Sequence, residues 1–270
     1  MPEGDTVYRT ARLLDDALRG QTLTRFDVRV PRSATVDLTG CRVEQVTCYG
    51  KHLLHRIGDY TLHSHLRMEG HWDRYRPGQR WRSPGYQARA VLATETIVTV
   101  GFELAEVRVV PRAEEHLLTD LLGPDPLKPQ WDHGGLEIAA ERLAADARPV
   151  HVALLDQRTV AGFGNEYGNE ICFLRGIDPH TPANQVDAVA MLRLGARMIR
   201  ANRDRVERTT TGNRRRGERL YVCFRAGLPC RRCGAEIRFD RLGADATRLR
   251  DVYWCPKCQP VVADCGWPGA

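Results

Sequence analysis

Three prolines within six residues, in the run Gly123-Pro124-Asp125-Pro126-Leu127-Lys128-Pro129, interrupt this chain near its middle. Proline has no backbone N–H and holds the preceding residue extended, so neither a helix nor a central strand continues through such a run. The two sides differ in period. Before the break, Val7, Ala11, Leu14 and Leu18 recur at helical spacing over 5–19, with Gly20 as a stop. The period then falls to two: Phe26, Val28 and Val30 alternate with Arg25, Asp27 and Arg29, and strand-like runs follow at 52–57, 60–66, 88–93, 96–100 and 106–110. Short strands at this spacing predict an antiparallel sandwich with the first helix packed on it. After the break, 135–145, 150–157, 165–175 and 185–202 all carry helical apolar spacing, while the polar, Arg-rich, Gly-punctuated stretch 208–219 reads as a mobile loop.

Near the end, Cys230-x2-Cys233 and Cys255-x2-Cys258 form two pairs separated by 21 residues. Each pair can place two thiolates on one metal, and the stretches 236–240 and 247–254 can form a hairpin that brings the pairs together. Four thiolates in a closed tetrahedral shell suit one structural zinc ion, with an iron–sulfur cluster or free thiols as the alternatives. Cys41, Cys48, Cys172, Cys223 and Cys265 lack such spacing; Cys48 and Cys172 read as small core residues, and Cys265 falls in a tail. The expected organisation is multi-domain α+β. It has a β-sandwich with a flanking helix over 1–122, a linker over 123–130, a helical domain over 131–222, a four-cysteine finger over 223–262 and a tail over 263–270.

Charge narrows the partners. The net charge is +6, but residues 201–250 hold 14 Arg against six acids and are +8, so the other 220 residues sum to −2. A basic region beside a near-neutral body suits a polyanion, although an Arg-rich chain with a solvated face gives the same arithmetic. No run approaches the roughly 18 apolar residues of a membrane span. The polar, acidic start Met1-Pro2-Glu3-Gly4-Asp5 does not resemble a secretory signal. The expected address is the cytosol, where nine cysteines are not a disulfide framework.

Two further stretches carry chemistry. In Gly162-Phe163-Gly164-Asn165-Glu166-Tyr167-Gly168-Asn169-Glu170, two glycines precede a helix start and Asn165 suits an N-cap; N–H groups at such a start bind phosphate, or the run is an ordinary turn and cap. At the other end of the chain, removal of Met1 leaves Pro2 with a free secondary amine, a nucleophile for a sugar or carbonyl carbon, with Glu3 beside it to move protons. The helix that follows points its positive end at that amine and disfavours the protonated form.

Pro2-Glu3-Gly4, Tyr49-Gly50-Lys51-His52-Leu53-Leu54, the Gly162–Glu170 run and the terminal four-cysteine hairpin stand in the order found in endonuclease VIII and formamidopyrimidine-DNA glycosylase. The chain resembles that family over nearly its whole length. The resemblance implies a β-sandwich, a helix–two-turns–helix domain and a zinc finger. It implies a base-excision-repair enzyme, a DNA glycosylase and apurinic/apyrimidinic-site (AP) lyase that removes oxidised bases, with damaged DNA, duplex or single-stranded, as its partner; a monomer with no membrane partner is the accompanying expectation. By the resemblance Pro2 attacks the sugar C1′, displaces the base and forms a Schiff base, and β- then δ-elimination cuts the strand. Glu3 donates and accepts the protons. Lys51, one of only three lysines, holds a phosphate beside the lesion. Asn165 and the finger residue Arg250 bind phosphate too, with Arg248 as the competitor of Arg250.

Arg67-Met68-Glu69 matches the loop that fills the gap left by the extruded base, with Met68 as an apolar wedge; by itself Met68 reads as core. Glu170 is a buried structural carboxylate or a catalytic one. Thr6 stands where many members have a second glutamate. The Arg-Phe pair of the oxidised-purine enzymes has no clear match around 101–110, which points to the endonuclease VIII branch and to oxidised pyrimidines. His63 and His65 read as strand residues with no proton role. The alternative function is a non-catalytic paralogue that binds damaged or single-stranded DNA.

Overall fold

The computed structural model describes residues 2–260, so Met1, Cys265 and the tail over 263–270 lie outside the described residues. It divides into two compact units, 1–121 and 122–270.

The N-terminal unit opens with α1 (Gly4–Leu18), followed by β1 (Arg25–Val28), β2 (Val43–Tyr49), β3 (His52–Ile57), β4 (Tyr60–His65), β5 (His71–Tyr75), β6 (Ala88–Ala93), β7 (Val98–Phe102) and β8 (Glu106–Pro111). All strand pairs are antiparallel, and they form two four-stranded sheets ordered β1-β6-β7-β5 and β2-β3-β4-β8. This is the sandwich that the period-two runs predict. Val7, Ala11, Leu14 and Leu18 of α1 are the same helical stripe read from the sequence. They are buried in one core with Leu53, Ile57, Leu62, Ala90 and Leu92 from the two sheets.

Two strands have no counterpart in the sequence reading. In β2 a register shift between Val43 and Gln45 moves the buried set to Val43, Val46 and Cys48, so the alternation is broken by a bulge. In β5 only Trp72 and Tyr75 are buried among polar neighbours.

The second unit holds α2 (Gly135–Ala144), α3 (Val150–Leu155), α4 (Asn165–Arg175), α5 (Ala188–Asn202) and the antiparallel hairpin β9 (Arg238–Leu242) with β10 (Arg250–Trp254). The proline-rich run is built into this unit rather than swinging free. Gly123 N–H donates to the Gln157 carbonyl at 2.7 Å, and the Pro124 carbonyl accepts from Ala161 N–H at 3.0 Å. Asp125 is buried and caps Leu127 N–H at 2.8 Å. On α5, Gly195 makes room for the neighbouring core: a β-carbon there would lie 2.5 Å from Phe163 Cζ and 2.8 Å from Ile171 Cδ1. Cys48 and Cys172 are core residues, as expected.

Candidate functional site

In the N-terminal unit, Glu3 is the N-cap residue of α1, extended and fully buried, and its carbonyl accepts from Val7 N–H at 3.0 Å. Pro2 is half-buried just before it. Thr6 takes its place inside the helix, its N–H donating to Asp5 Oδ1 at 2.8 Å. Gly50 and Lys51 form the tight connection of β2 to β3, where Gly50 has φ 54° and Tyr49 pairs with His52. That left-handed position is one that glycine adopts without strain.

The β4–β5 connection has its own construction. Gly70 N–H returns to the Leu66 carbonyl at 3.0 Å, and a β-carbon on Gly70 would sit 2.5 Å from that oxygen, so the turn demands glycine. Arg67 is left-handed at φ 49°, with its N–H on His65 Nδ1 at 3.1 Å. The turn carries Met68 outward with 68% of its surface exposed, which removes the core reading of that residue. Beside it, His52 Nδ1 meets His63 Nε2 at 2.9 Å. Burial lowers the pKa of all three neighbouring histidines, to about 3 for His63 and about 4 for His65, so their rings are neutral at pH 7.

In the second unit the N-cap of α4 is Gly164, in extended conformation, and not Asn165 as the sequence suggested. Asn165 is the first helical residue, and its side chain is used elsewhere: Nδ2 donates to the Asp251 carbonyl of β10 at 2.9 Å. Its Oδ1 is buried without a hydrogen-bond partner among the described residues. Asn169, one helical turn on, was missed by the sequence reading. Its Nδ2 donates to the Asn165 carbonyl at 2.8 Å and to the Asp251 carbonyl at 3.2 Å, and its Oδ1 accepts Tyr253 N–H at 2.6 Å. The i, i+4 spacing of the two asparagines on one helix face was the available signal. Arg250 stands next to this contact, exposed, its one side-chain bond among the described residues going to the Leu249 carbonyl, whereas Arg248 lies 3.6 Å from Asp245.

Glu170 faces the other way. Its carboxylate accepts N–H bonds from Tyr221 and Val222, both at 2.8 Å, and from Cys223 at 3.0 Å, together with the Thr210 hydroxyl. Burial pushes its pKa above the ordinary carboxylate value, and these donors pull it back. Every bond is internal, which favours the structural of the two roles considered for it. Arg208, also missed, forms an ion pair with Glu166 at 2.8 Å, almost out of solvent, and lies 4.7 Å from the Tyr167 ring centre.

The hairpin brings the cysteine pairs together. The sulfurs of Cys230, Cys233, Cys255 and Cys258 all lie within 4.8 Å of one another, with Cys230 to Cys258 at 3.9 Å and Cys233 to Cys255 at 3.4 Å. A tetrahedron with bonds of about 2.3 Å has edges of about 3.8 Å, so this set fits one metal ion of that kind. Burial and the neighbouring sulfurs push the Cys258 thiol up to about 12, and a cation among the four sulfurs would favour its thiolate form. Arg232 and Cys258 also donate N–H to Cys230 and Cys255 sulfurs, each at 3.4 Å.

Residues 1–110 match the formamidopyrimidine-DNA glycosylase N-terminal domain family, and residues 122–216 match the formamidopyrimidine-DNA glycosylase H2TH domain family. The chain is 49% identical over 265 residues to "Probable endonuclease 8 2" of Streptomyces coelicolor, covering 96% of this chain and 94% of the relative. It is 47% identical over 261 residues to "DNA-(apurinic or apyrimidinic site) lyase Nei2" of Mycolicibacterium smegmatis, covering 96% and 99%. Among solved structures, Lactococcus lactis Fpg in complex with abasic-site DNA superposes with a TM-score of 0.78 at 23% identity, covering 96% of this chain and all of that one. MutM in complex with DNA containing carbocyclic 8-oxo-G gives a TM-score of 0.79 at 25% identity, with the same coverage.

Proposed function

The chain belongs to the formamidopyrimidine-DNA glycosylase family, and from that premise we infer that it is a DNA glycosylase and AP lyase of base-excision repair. What carries this reading is its match, over nearly the full length of both chains, to relatives named endonuclease 8 and AP lyase, with Pro2-Glu3 in place at the head of α1. The substrate assigned is damaged DNA bearing an oxidised pyrimidine, in line with the endonuclease VIII names of those relatives.

The chemistry assigned to the N-terminus follows from its residues. The lone pair of the Pro2 nitrogen attacks C1′, the bond from C1′ to the base breaks, and the base leaves with a proton. Ring opening gives an iminium, and loss of a C2′ proton expels the 3′ phosphate; a second elimination expels the 5′ phosphate. Glu3, buried at the helix N-cap, is assigned the proton transfers. Lys51 on the β2–β3 turn, Asn165 at the start of α4 and Arg250 at the start of β10 are assigned the phosphates. Arg67 and exposed Met68 are assigned to the gap in the base stack. The metal assigned to Cys230, Cys233, Cys255 and Cys258 is a structural zinc ion, which holds the hairpin that carries Arg250. No helix among the described residues is long and apolar enough to cross a membrane, and a cytosolic site of action is part of the same reading.

Borohydride tests the chemistry, because it reduces an imine to a stable amine. Protein shown to begin at Pro2 is expected to form a covalent complex with thymine-glycol or abasic DNA, and Pro2→Gly to lose trapping far more than binding. Binding without any trapped complex would instead favour the non-catalytic paralogue.

A further inference from the structure

The stretch 208–219 expected from sequence to be mobile is closed at its base. Asn202 Oδ1 accepts Thr209 N–H at 2.9 Å, and Asn202 Nδ2 donates to the Thr209 carbonyl at 3.0 Å. The N–H groups of Thr210 and Thr211 meet the Arg219 carbonyl at 2.8 and 3.2 Å. The Thr211 hydroxyl donates to the Glu218 carbonyl at 2.7 Å, and the Thr210 hydroxyl reaches Glu170 beneath the loop. Nearer the tip, Arg215 N–H donates to Asn213 Oδ1 at 2.9 Å and Glu218 N–H to the Arg215 carbonyl at 3.0 Å. Gly212 and Gly217, both at φ 82°, make the two bends.

Four of the seven arginines over 203–219 are engaged on the protein's own groups, Arg205 through the Ala201 carbonyl at 3.0 Å. Arg203 has Asp204 at 3.4 Å, Arg208 has Glu166 at 2.8 Å, and Arg219 pairs with Glu207. Arg214, Arg215 and Arg216 at the tip are exposed and have no acidic partner among the described residues. Glu218, the nearest acid in sequence, is engaged by the Asn213 side-chain amide. Three consecutive arginines concentrate like charge at one tip, which favours an external polyanion over further charge of the same sign. Because internal bonds already fix the loop's shape, little ordering entropy remains to be lost when such a partner binds.

We propose that Arg214, Arg215 and Arg216 form a preorganised anion-binding tip that grips backbone phosphates of the DNA substrate, separately from Lys51, Asn165 and Arg250. This rests on the DNA-repair reading above. Guanidinium groups pair with phosphate oxygens in a fork and read no base, so the contact is independent of sequence and lesion.

The test is the salt dependence of binding. Full-length zinc-loaded protein is titrated by anisotropy against duplex DNA carrying an uncleavable abasic analogue, across a range of KCl concentrations. Each phosphate contact contributes about 0.9 to the slope of log affinity against log salt, so the triple variant Arg214→Ala, Arg215→Ala, Arg216→Ala is expected to be shallower by about 2.7. Between 50 and 200 mM salt the wild type then loses about 40-fold more affinity than the variant. The triple lysine variant, which keeps the charge, is expected to restore the slope. A slope changed by less than one contact's worth, about 0.9, overturns the proposal. So does an unchanged slope with altered preference for lesion over intact DNA, which would make the tip a cover for the base. Wild-type protein that binds no DNA sinks the repair reading and this one together; a wild-type slope reproduced by the alanine variant sinks this one alone.

Discussion

Replacing Asn169 with alanine removes three hydrogen bonds, one within α4 and two between α4 and β10, and their worth can be worked out one by one. Two have substitutes. The Asn165 carbonyl keeps the helix's own amide, and the Asp251 carbonyl keeps the 2.9 Å bond from Asn165 Nδ2. Tyr253 N–H is in a different position, because its 2.6 Å bond ends on Asn169 Oδ1 and the residue is buried. An orphaned buried donor costs about 1–3 kcal/mol, and each replaceable bond about 0.5–1.5 kcal/mol at most. The expected loss in unfolding free energy is therefore about 3 kcal/mol. Urea titration of the zinc-loaded protein reads it, with Trp254 of β10 as a local fluorophore. Asn169→Asp keeps an acceptor for Tyr253 but turns a second carboxylate oxygen toward two carbonyls, so it should do no better than alanine. If the bonds also place Arg250, the loss of affinity for abasic DNA caused by Asn169→Ala shrinks in an Arg250→Ala background. An alanine variant as stable as wild type to within about 0.5 kcal/mol refutes the bond accounting, and full additivity with Arg250→Ala refutes the placement.

His180 sits between Asp178 at 2.7 Å and Asp240 at 3.2 Å; burial opposes its charge, but the two carboxylates outweigh burial and raise its pKa. A raised value stabilises the fold fully below the ordinary histidine pKa of about 6.5 and less as pH climbs through the raised value, so the stability gap between wild type and His180→Gln should narrow as pH rises from about 6.5 through that raised value. A gap that widens over that range contradicts the assignment. Gly195→Ala adds helix propensity of about 1 kcal/mol but forces a methyl to 2.5 Å from Phe163, where overpacking of about 1–3 kcal/mol should win; a raised melting temperature would show that the aromatic ring yields freely. Met68→Ala should change stability by under about 0.5 kcal/mol while lowering turnover on lesion duplexes; unchanged turnover argues against a wedge. Chelation of the metal should abolish DNA binding and leave the N-terminal sandwich's circular dichroism intact, and full binding after verified metal loss contradicts the role given to Arg250.

The sequence carried the elements that repeat cleanly. The α1 and α5 stripes and the alternation of β1 are local patterns with nothing to disturb their period, and the cysteine spacing is chemistry in one dimension. The pattern failed where the period itself is altered, as at the β2 bulge, or where polar side chains occupy a strand, as in β5. Of the candidate site, the residues with distinctive chemistry stood out, Pro2 and the four cysteines above all. Asn169 and Thr210 did not, because each acts through a partner far along the chain: Asn169 through Asp251 and Tyr253, Thr210 through Glu170. Nothing in one residue type announces such a partner.

Helix α4 hydrogen-bonds the finger hairpin through main-chain atoms, the Asp251 carbonyl and the Tyr253 amide, while the buried Tyr253 side chain shares a core with Phe173. That leaves the outward-facing side chains of β10 open to drift without loosening the dock. Selection can therefore change Arg250 and its flanks, and with them the grip on a strand, while the joint persists. An engineer could exchange hairpins on the same principle, provided that the cysteines and the two asparagines stay where they are.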